Sequence, residues 1–382
     1  MASALGGSAI AQAPAAQRPL AGQQAKTPGD SPLSEVARLP LLPAGCCLAL
    51  QYNTPSEGQS ALVDTLWNAA HQAGLGGMHL ALTWQDLEPQ PGQIDTAQLE
   101  MLLQLVQLAG LRPLLSIATI DTFRLSLPAD LVDTTDTRRL AESRTWSDPL
   151  LSQRMEKLLG RVLPLLEEYG GFYVSLGNEV DPLLFGSQEK TAQYAEFLGR
   201  ARVVARKLTP QIALGTTVRF VGLQAHPERF QQLLAACDTV ALTYFPMNPD
   251  QSVQAPELAE QQLAAMQAAL GSRALILQEF GYPSGRSSDS GIGSSQEQQR
   301  RFLEVCFESF AQHPNLRFAN YAGVVDYGPA DLGLLQLHHN SSLPNLVEGL
   351  GSLGLAEYAS GKPKPAYGVF LQGLKDNAQR QD

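Results

Sequence analysis

The stretch Gly170-Gly-Phe-Tyr-Val-Ser-Leu-Gly-Asn-Glu-Val-Asp181 joins a short apolar run to an acidic end. Phe172 to Leu176 is rich in residues that favour β-strands and is bounded by glycines, which is typical of a parallel strand covered on both faces. Asn178 and Glu179 follow directly. In parallel α/β proteins the carboxyl ends of the strands hold reactive side chains within reach of solvent. The stretch therefore predicts a buried strand with functional residues at its end, although a solvated loop glutamate would show the same dipeptide.

A second stretch has the same form. Ala274-Leu-Ile-Leu-Gln-Glu-Phe-Gly-Tyr-Pro283 is an apolar strand pattern that leads straight into Glu279. The two glutamates lie 279 − 179 = 100 positions apart. Because one strand-plus-helix unit takes about 30 residues, this separation corresponds to three units. The two acids are therefore expected at the ends of strands n and n+3 of one sheet.

Strand and helix patterns alternate along the rest of the chain. Eight strands are predicted, at Cys47–Tyr52, Met78–Trp84, Pro113–Ala118, Phe172–Leu176, Gln211–Thr216, Thr239–Tyr244, Ala274–Gln278 and Phe318–Val325. The simplest closed arrangement is a single (β/α)₈ TIM barrel, predicted for residues 45–376. An open doubly wound sheet is the alternative, but no strand is followed by the Gly-x-Gly-x-x-Gly turn of nucleotide binding. Residues 1–44, rich in Ala, Pro and Gln, are predicted to be a flexible tail.

Composition excludes several classes of function. The net charge of −10 and the pI near 5.1, without a basic run, argue against nucleic acid as a partner. No apolar run reaches the roughly 18 residues of a membrane span, and no spacing of Cys and His indicates a metal site or a cofactor. Leu5 to Ala13 resembles the end of a secretory signal, which favours a secreted or periplasmic protein, but a low-complexity tail would read similarly.

Several motifs together resemble the glycoside hydrolase superfamily called clan A. These barrels carry catalytic acids at the ends of strands four and seven, as Gly177-Asn-Glu179 and Glu279 do here. Trp84-Gln-Asp-Leu-Glu-Pro-Gln-Pro-Gly92 resembles the turn after strand two in several families, and Tyr244 ends strand six, where many members have His or Tyr. Gly361-Lys-Pro-Lys-Pro-Ala-Tyr367 is similar to the segment that leads into their last helix. The resemblance runs from about residue 46 to 374 and assigns no numbered family.

The resemblance implies a retaining glycosidase without a cofactor, acting on a carbohydrate substrate. It assigns Glu179 as the acid/base and Glu279 as the nucleophile, with the two carboxyls about 5 to 5.5 Å apart. The hydroxyl of Tyr244 is expected to hydrogen-bond Glu279 and lower its pKa. Asn178 is expected to bond the sugar 2-hydroxyl. We expect a monomer.

Aromatic side chains offer faces on which sugar rings stack. Tyr52, Trp84 and Tyr282 are the candidates for substrate binding, although most aromatic residues are simply core. Trp146, Phe185 and Phe245 also fall at predicted strand ends or in loops. Two other interpretations stay open. One is a non-catalytic barrel that binds glycans, and the other is a phosphate site in the loop Ser284 to Ser288, which could equally be a Gly/Ser lid.

Overall fold

The architecture was determined from a computed structural model, which describes residues 45–52, 60–141, 144–285, 291–339 and 344–381. The predicted tail, residues 1–44, lies outside the described residues. The strands are β1 Cys47–Leu50, β2 Gly77–Thr83, β3 Arg112–Asp121, β4 Arg124–Leu125, β5 Tyr173–Asn178, β6 Ala213–Gly215, β7 Thr217–Arg219, β8 Ala241–Tyr244, β9 Leu275–Phe280 and β10 Leu316–Tyr321.

Helices follow most of the strands. They are α1 Ser60–Gln72, α2 Trp84–Leu87, α3 Ala97–Leu108, α4 Pro149–Glu168, α5 Asp181–Leu184, α6 Gln188–Leu208, α7 Phe220–Ala225, α8 Pro227–Ala236, α9 Leu258–Leu270, α10 Gln296–Phe310, α11 Pro329–His339, α12 Pro344–Gly351 and α13 Pro365–Gln381. Side chains that accept hydrogen bonds from the first backbone N–H groups fix where several of these helices begin. Asp148 accepts from the Leu150 N–H at 2.9 Å ahead of α4, and Ser187 accepts from the Lys190 N–H at 3.2 Å at the start of α6. Among the described helices, none is both long and apolar enough for a membrane span.

The strands close into a barrel. Parallel pairing runs β2-β3-β5-β6 in one part and β7-β8-β9-β10-β1 in the other. The Gly76 N–H donates to Leu48 O at 2.9 Å, which joins β1 to the start of β2. On the opposite side, β6 and β7 are two halves of one strand interrupted at Thr216, and the Val180 N–H donates to Thr217 O at 3.0 Å. Counting β6 and β7 together and leaving out the short β4, eight strands form the barrel, so the predicted (β/α)₈ fold is confirmed.

The third barrel strand is longer than predicted. It continues past Ala118 to Asp121, because the chain then turns back and pairs antiparallel with β4, with Asp121 opposite Arg124. The segment between β3 and α4 therefore begins with a hairpin and also contains a turn of 3₁₀ helix at Ala129–Leu131. This hairpin lies at the carboxyl end of the barrel and projects residues towards the neighbouring strand end.

An apolar cluster closes the amino-terminal end of the barrel. Its members come from the first residues of the strands: Cys47, Ala49, Leu114, Phe172, Tyr173, Ala213, Ala241, Ile276 and Phe318. We call this cluster the apolar plug. The rings of Phe172 and Phe318 lie 5.9 Å apart, and a Cβ at Gly77 would come within 2.8 Å of the Phe318 ring. Because the plug is apolar and close-packed, polar side chains in the interior are confined to the middle and the carboxyl end.

Candidate active site

Glu179 and Glu279 lie at the carboxyl end of the barrel, and Thr243 of β8, the sixth barrel strand, is a neighbour of both. Glu179 directly follows β5, the fourth barrel strand, and Glu279 belongs to β9, the seventh. The Thr243 hydroxyl donates to Glu179 Oε1 at 2.7 Å. The Cα of Thr243 also pairs in register with that of Glu279. Both glutamates are almost completely buried, at 2% and 3% exposure. The structure thus brings together the two acids that the sequence singles out.

The backbone around Glu179 is held in an unusual conformation. Glu179 has a φ of +48°, a left-handed value that is rare for a residue with a side chain. Gly177, two residues earlier, has a φ of +89°, and a Cβ there would come within 2.5 Å of the Tyr194 hydroxyl. The Thr122 hydroxyl donates to Glu179 Oε2 at 2.9 Å. Each carboxylate oxygen of Glu179 therefore has its own hydroxyl partner, which fixes the orientation of the carboxyl group.

Opposing influences act on the charge of Glu179. Burial raises the pKa of its carboxyl, whereas Arg219 and the hydroxyls of Thr243 and Thr122 stabilise the ionised form and lower that pKa. Arg219 is in turn fixed by Asp181. Its Nε donates to Asp181 Oδ2 at 2.9 Å, and its backbone N–H donates to Asp181 Oδ1 at 2.9 Å. Asp181 is therefore not a solvated turn residue but the buried partner of the cation beside Glu179.

Asn178 is oriented by a polar network across the barrel interior. Its Nδ2 donates to Asp121 Oδ1 at 3.2 Å, and its Oδ1 accepts from Gln278 Nε2 at 2.9 Å. Gln278 Oε1 accepts from the hydroxyls of Ser116 and Thr217, at 2.6 and 2.7 Å. Asn178 is thus a rigid part of the interior, and its bond to a sugar 2-hydroxyl stays a prediction.

His79 ends this network below the site. Its Nε2 lies 2.9 Å from Ser116 Oγ, and its Nδ1 has no hydrogen-bond partner among the described residues. Burial lowers the pKa of His79 to about 3, because the charged imidazolium would lose its hydration. The ring is therefore neutral at physiological pH and serves as a packed barrel histidine.

Tyr244 does not reach Glu279, and this prediction from the resemblance is wrong. Its hydroxyl donates to Gln262 Oε1 in α9 at 2.7 Å, and its ring packs between Phe220 and Phe302. Side chains alternate along a strand, so when Thr243 faces the interior its neighbour Tyr244 faces the helices. The hydroxyl near strand six that touches an acid is that of Thr243.

The aromatic side chain near Glu279 comes from the loop after the eighth barrel strand. Burial raises the pKa of Tyr327, and the negative charge of Glu279 raises it further, which places the two groups within electrostatic reach of each other. Tyr327 is half-buried. Tyr327 was not predicted as a site residue, although Asp326 and Tyr327 directly follow the predicted eighth strand Phe318–Val325.

A buried lysine joins the loops after the seventh and eighth barrel strands. Lys364 Nζ donates to Ser284 Oγ at 2.8 Å, to Asp326 Oδ1 at 2.6 Å and to Gly354 O at 2.8 Å. Its side chain is 1% exposed. Lys364 belongs to the Gly361 to Tyr367 segment, so this motif holds the loops around the site rather than entering the site.

The predicted substrate-binding role of Trp84 is not supported, because its ring is fully buried. Trp84 Nε1 donates to Glu88 Oε2 at 2.8 Å, and Glu88 Oε1 accepts from the Gly92 N–H at 2.6 Å and from Arg154 Nε at 2.9 Å. The ring stacks on Phe197 at 6.3 Å. The Trp84 to Gly92 motif therefore builds a structural turn that is joined to α4 by a buried ion pair.

Tyr282 is likewise buried and offers no face to a ligand. Its hydroxyl donates to Gln254 O at 2.6 Å, and its ring lies 4.9 Å from that of Phe302. Tyr52, at the end of β1, is half-buried and donates to Asp64 Oδ1 at 2.7 Å, so its role in binding stays a prediction. Of the other aromatic candidates, Trp146 and Phe185 are buried and Phe245 is half-buried.

No group of three or more metal-ligating side chains occurs in the part of the chain that the structure describes. The possible phosphate loop after the seventh strand extends into residues 286–290, which lie outside the described residues. Five residues near the site were missed by the sequence analysis: Thr122, Phe123, Arg219, Thr243 and Tyr327. Two of them carried a signal: Thr243 is a polar residue within an apolar strand end, and Tyr327 comes just after the predicted eighth strand.

The sequence matches no protein-family model and no curated protein. Solved structures do resemble it. GH5_18 from Streptomyces cattleya, in complex with GlcNAc, has a TM-score of 0.64 at 15% identity, over 87% of this chain and 80% of that one. GH5_18 from Bifidobacterium longum subsp. longum has 0.63 at 17% identity, over 88% and 80%. The exo-beta-1,4-mannosidase Op5Man5 from an Opitutaceae bacterium has 0.63 at 18% identity, over 88% of this chain but 60% of its own length. The chain therefore has the (β/α)₈ fold of these GH5 structures.

Proposed function

We propose that this protein is a retaining glycoside hydrolase that cleaves O-glycosidic bonds of an oligo- or polysaccharide by double displacement. The observation that carries the proposal is that Thr243 bonds the Glu179 carboxylate and pairs through its backbone with Glu279, which places both acids at the carboxyl end of the barrel. Hydrolysis of a glycoside requires one carboxyl group that donates a proton and one ionised carboxylate near the same anomeric carbon. The fold shared with GH5 structures agrees with this assignment.

In the proposed first step, the Glu279 carboxylate attacks the anomeric carbon while the Glu179 carboxyl gives its proton to the departing oxygen. The role of Glu279 as nucleophile follows from the resemblance, in which the acid at the end of strand seven attacks the anomeric carbon. The product of this step is a glycosyl ester of Glu279 and a free leaving-group sugar.

In the second step Glu179 must accept a proton from the attacking water, so it has to exist in both protonation states during one turnover. Hydroxyl groups suit this requirement, because they donate to a carboxylate and accept from a carboxylic acid. Thr122 and Thr243 can therefore hold Glu179 in place in either state. Arg219 favours the ionised state that the second step needs.

Oligosaccharides with β-1,4-linked mannose are the first substrates to test. Op5Man5 is an exo-beta-1,4-mannosidase, and a GH5_18 structure from Bifidobacterium longum contains Manβ1-4GlcNAc. We also propose that the protein acts outside the cytoplasm, on the basis of the signal-like residues near its amino terminus.

Substitution of the two acids tests the proposal. Glu279→Ala should lose turnover of every glycoside, because no glycosyl ester can form. Glu179→Ala should lose activity on oligosaccharides yet release an activated aryl group in a burst, because such a leaving group needs no proton. Azide should then accelerate the second step and yield a glycosyl azide of retained configuration. Glu260→Ala, an exposed glutamate of α9, is the matched control and should behave as wild type.

Two outcomes would contradict the proposal. If the wild-type protein binds oligosaccharides but turns over neither them nor aryl glycosides, the alternative of a non-catalytic glycan-binding barrel is favoured. If Glu179→Ala keeps full activity on oligosaccharides, or azide rescues Glu279→Ala to a product of retained configuration, the roles of the two acids are wrong.

A further inference from the structure

The hairpin between β3 and β4 presents two neighbouring side chains with different surroundings. Thr122 and Phe123 are the two turn residues, and Thr122 has a φ of +52°. The Thr122 N–H donates to Asn178 O at 3.0 Å, and its hydroxyl donates to Glu179. Phe123 is 39% exposed, which makes it one of the few large apolar side chains on the surface. Because the turn is tight and bonded to the end of β5, Phe123 is held rigidly next to Glu179 on the rim of the barrel.

A cation lies against the ring of Phe123. The guanidinium carbon of Arg219 is 6.0 Å from the ring centroid, within the range of a cation–π contact. Arg219 is itself fixed by Asp181, through bonds of 2.9 Å from its side chain and its backbone. Gly222 leaves room for this pair, since a Cβ there would overlap the Asp181 carboxylate. The exposed aromatic ring thus has a fixed position and a fixed polar neighbour.

The strands that carry Phe123 and Arg219 show on which side of the candidate active site these two residues lie. Phe123 follows the third barrel strand and Arg219 ends the fifth, so they flank Glu179 on the fourth. Glu279 belongs to the seventh strand, and Tyr327 lies in the loop after the eighth. The acid/base of a double displacement faces the leaving group. A sugar that departs with the proton of Glu179 would therefore lie against Phe123 and Arg219.

The charged groups beside Phe123 and Arg219 favour a neutral ligand over an anionic one. Glu179 and Asp181 contribute two carboxyls and Arg219 one guanidinium, and Asp121 is balanced by Arg124 at 3.7 Å. Because Arg219 is already paired with Asp181, it has no spare charge for an anionic group, and ionised Glu179 would repel one. Aromatic rings, in contrast, suit the apolar face of an uncharged sugar.

We propose that Phe123 and Arg219 form the leaving-group subsite and that it accepts a neutral saccharide rather than an acidic one. This inference rests on the proposed function. Phe123 stacks on the departing sugar ring, and the free edge of the Arg219 guanidinium donates to its hydroxyls. The same subsite binds an acceptor sugar in the reverse direction. The acceptor hydroxyl oxygen then bonds to the anomeric carbon, the ester bond to Glu279 breaks, and the hydroxyl proton passes to Glu179.

Partition of the glycosyl ester between water and an added acceptor tests the subsite. An activated aryl mannoside serves as donor, with either methyl glucoside or glucuronic acid as acceptor, and the ratio of transfer product to hydrolysis product is measured. The ratio does not depend on how fast the ester forms.

Wild type should transfer to the neutral acceptor at least about tenfold better than to the acid. Phe123→Ala and Phe123→Leu should lower the neutral ratio about tenfold, and Phe123→Trp should keep it. Leu108→Ala, an exposed change on α3, is the control and should leave the ratio unchanged.

The outcomes separate this inference from the proposed function. If wild type turns over no glycoside donor on a broad panel, the proposed function fails and the subsite fails with it. If wild type turns over a donor but Phe123→Ala and Phe123→Leu leave the ratio unchanged, the subsite alone is refuted. Equal transfer to glucuronic acid and methyl glucoside would refute the preference for a neutral sugar.

Discussion

The two ends of the barrel interior are built from opposite chemistry. At the amino-terminal end, the apolar plug is filled by side chains such as Phe172 and Phe318, which need no partners beyond close packing. At the carboxyl end, Asn178, Glu179 and Gln278 are buried to the same degree but are bonded to their neighbours. Burial of polar groups is tolerated only where hydrogen bonds replace water, so the polar end depends on exact geometry whereas the apolar end depends on volume.

Because of this difference, substitutions at the two ends of the barrel should have different effects, on stability at the amino-terminal end and on catalysis at the carboxyl end. A change in the plug alters packing far from Glu179 and Glu279, and its effect should be confined to the free energy of unfolding. A change at the polar end alters the charge or orientation of a carboxyl group, and its effect should appear in rates and in their pH dependence. The following predictions test that separation.

The largest effect on stability is expected at the plug. Phe318→Ala should lower the free energy of unfolding by about 3–5 kcal/mol, because it removes a fully buried ring and leaves a cavity. At a temperature where the variant is folded, its kcat/KM should equal that of wild type. Denaturant unfolding and steady-state kinetics measure the two quantities. A large loss of kcat/KM in the folded variant would show that the two ends are coupled.

Thr243→Val should affect both stability and chemistry. Loss of a hydrogen bond to a buried charged group costs about 1.5–3 kcal/mol. The lost hydroxyl stabilises ionised Glu179, so its removal raises the pKa of that carboxyl. Under the proposed mechanism Glu179 must be protonated in the first step, and the alkaline limb of the kcat/KM–pH profile should therefore move to higher pH. Thr239→Val is the matched control, since the Thr239 hydroxyl donates to Ala274 O instead, and it should leave the profile unmoved.

His79 should make stability fall in acid. Its pKa is lowered to about 3 in the folded protein, against about 6.5 in the unfolded chain. As the pH falls through this window, the unfolded chain binds a proton that the folded protein does not, so unfolding is favoured by about 1.4 kcal/mol per pH unit. His79→Gln removes this contribution. Unfolding measured between pH 7 and 5 should be less pH-dependent in the variant, and parallel curves would contradict the prediction.

The smallest effect is expected for Tyr244→Phe. The lost hydroxyl bonds Gln262 in the helical layer, so stability should fall by about 1 kcal/mol while kcat and its pH profile stay unchanged. Tyr327→Phe removes the hydroxyl that interacts electrostatically with Glu279 and should lower kcat. A lower kcat in Tyr244→Phe with an unchanged value in Tyr327→Phe would reverse this assignment of the two tyrosines.

The fold and the two acids could be predicted from the sequence because their signals are local. Apolar runs that lead into Glu179 and Glu279 mark two of the strands and the polar residues at their ends. Strand five was less clear. Its pattern shows one strand, whereas the chain breaks at Thr216 into β6 and β7.

The sequence did not predict which side chains of a strand face the barrel interior and which face the helices. A barrel strand is covered on both sides, so polarity does not distinguish the side chain that faces the interior from the one that faces a helix. Tyr244 was therefore predicted to bond Glu279, whereas its hydroxyl bonds Gln262 and the neighbouring Thr243 bonds Glu179. Trp84 shows a second limit. Its burial depends on Arg154, which reaches Glu88 from 66 positions away, and no pattern around Trp84 reveals that contact.

The bonds of Lys364 also set an order of events during synthesis. Phe318, the last member of the apolar plug, precedes Lys364 in the chain, and Lys364 lies 80 positions after Ser284, which it holds. At about 5–20 residues per second, a ribosome needs about 4–16 seconds to cover that distance. Until Lys364 has been made, the loop after the seventh barrel strand, and the loop after the eighth once it exists, lack the buried cation that joins them. A growing chain can therefore complete the amino-terminal end of its barrel before the mouth of the barrel takes its final shape.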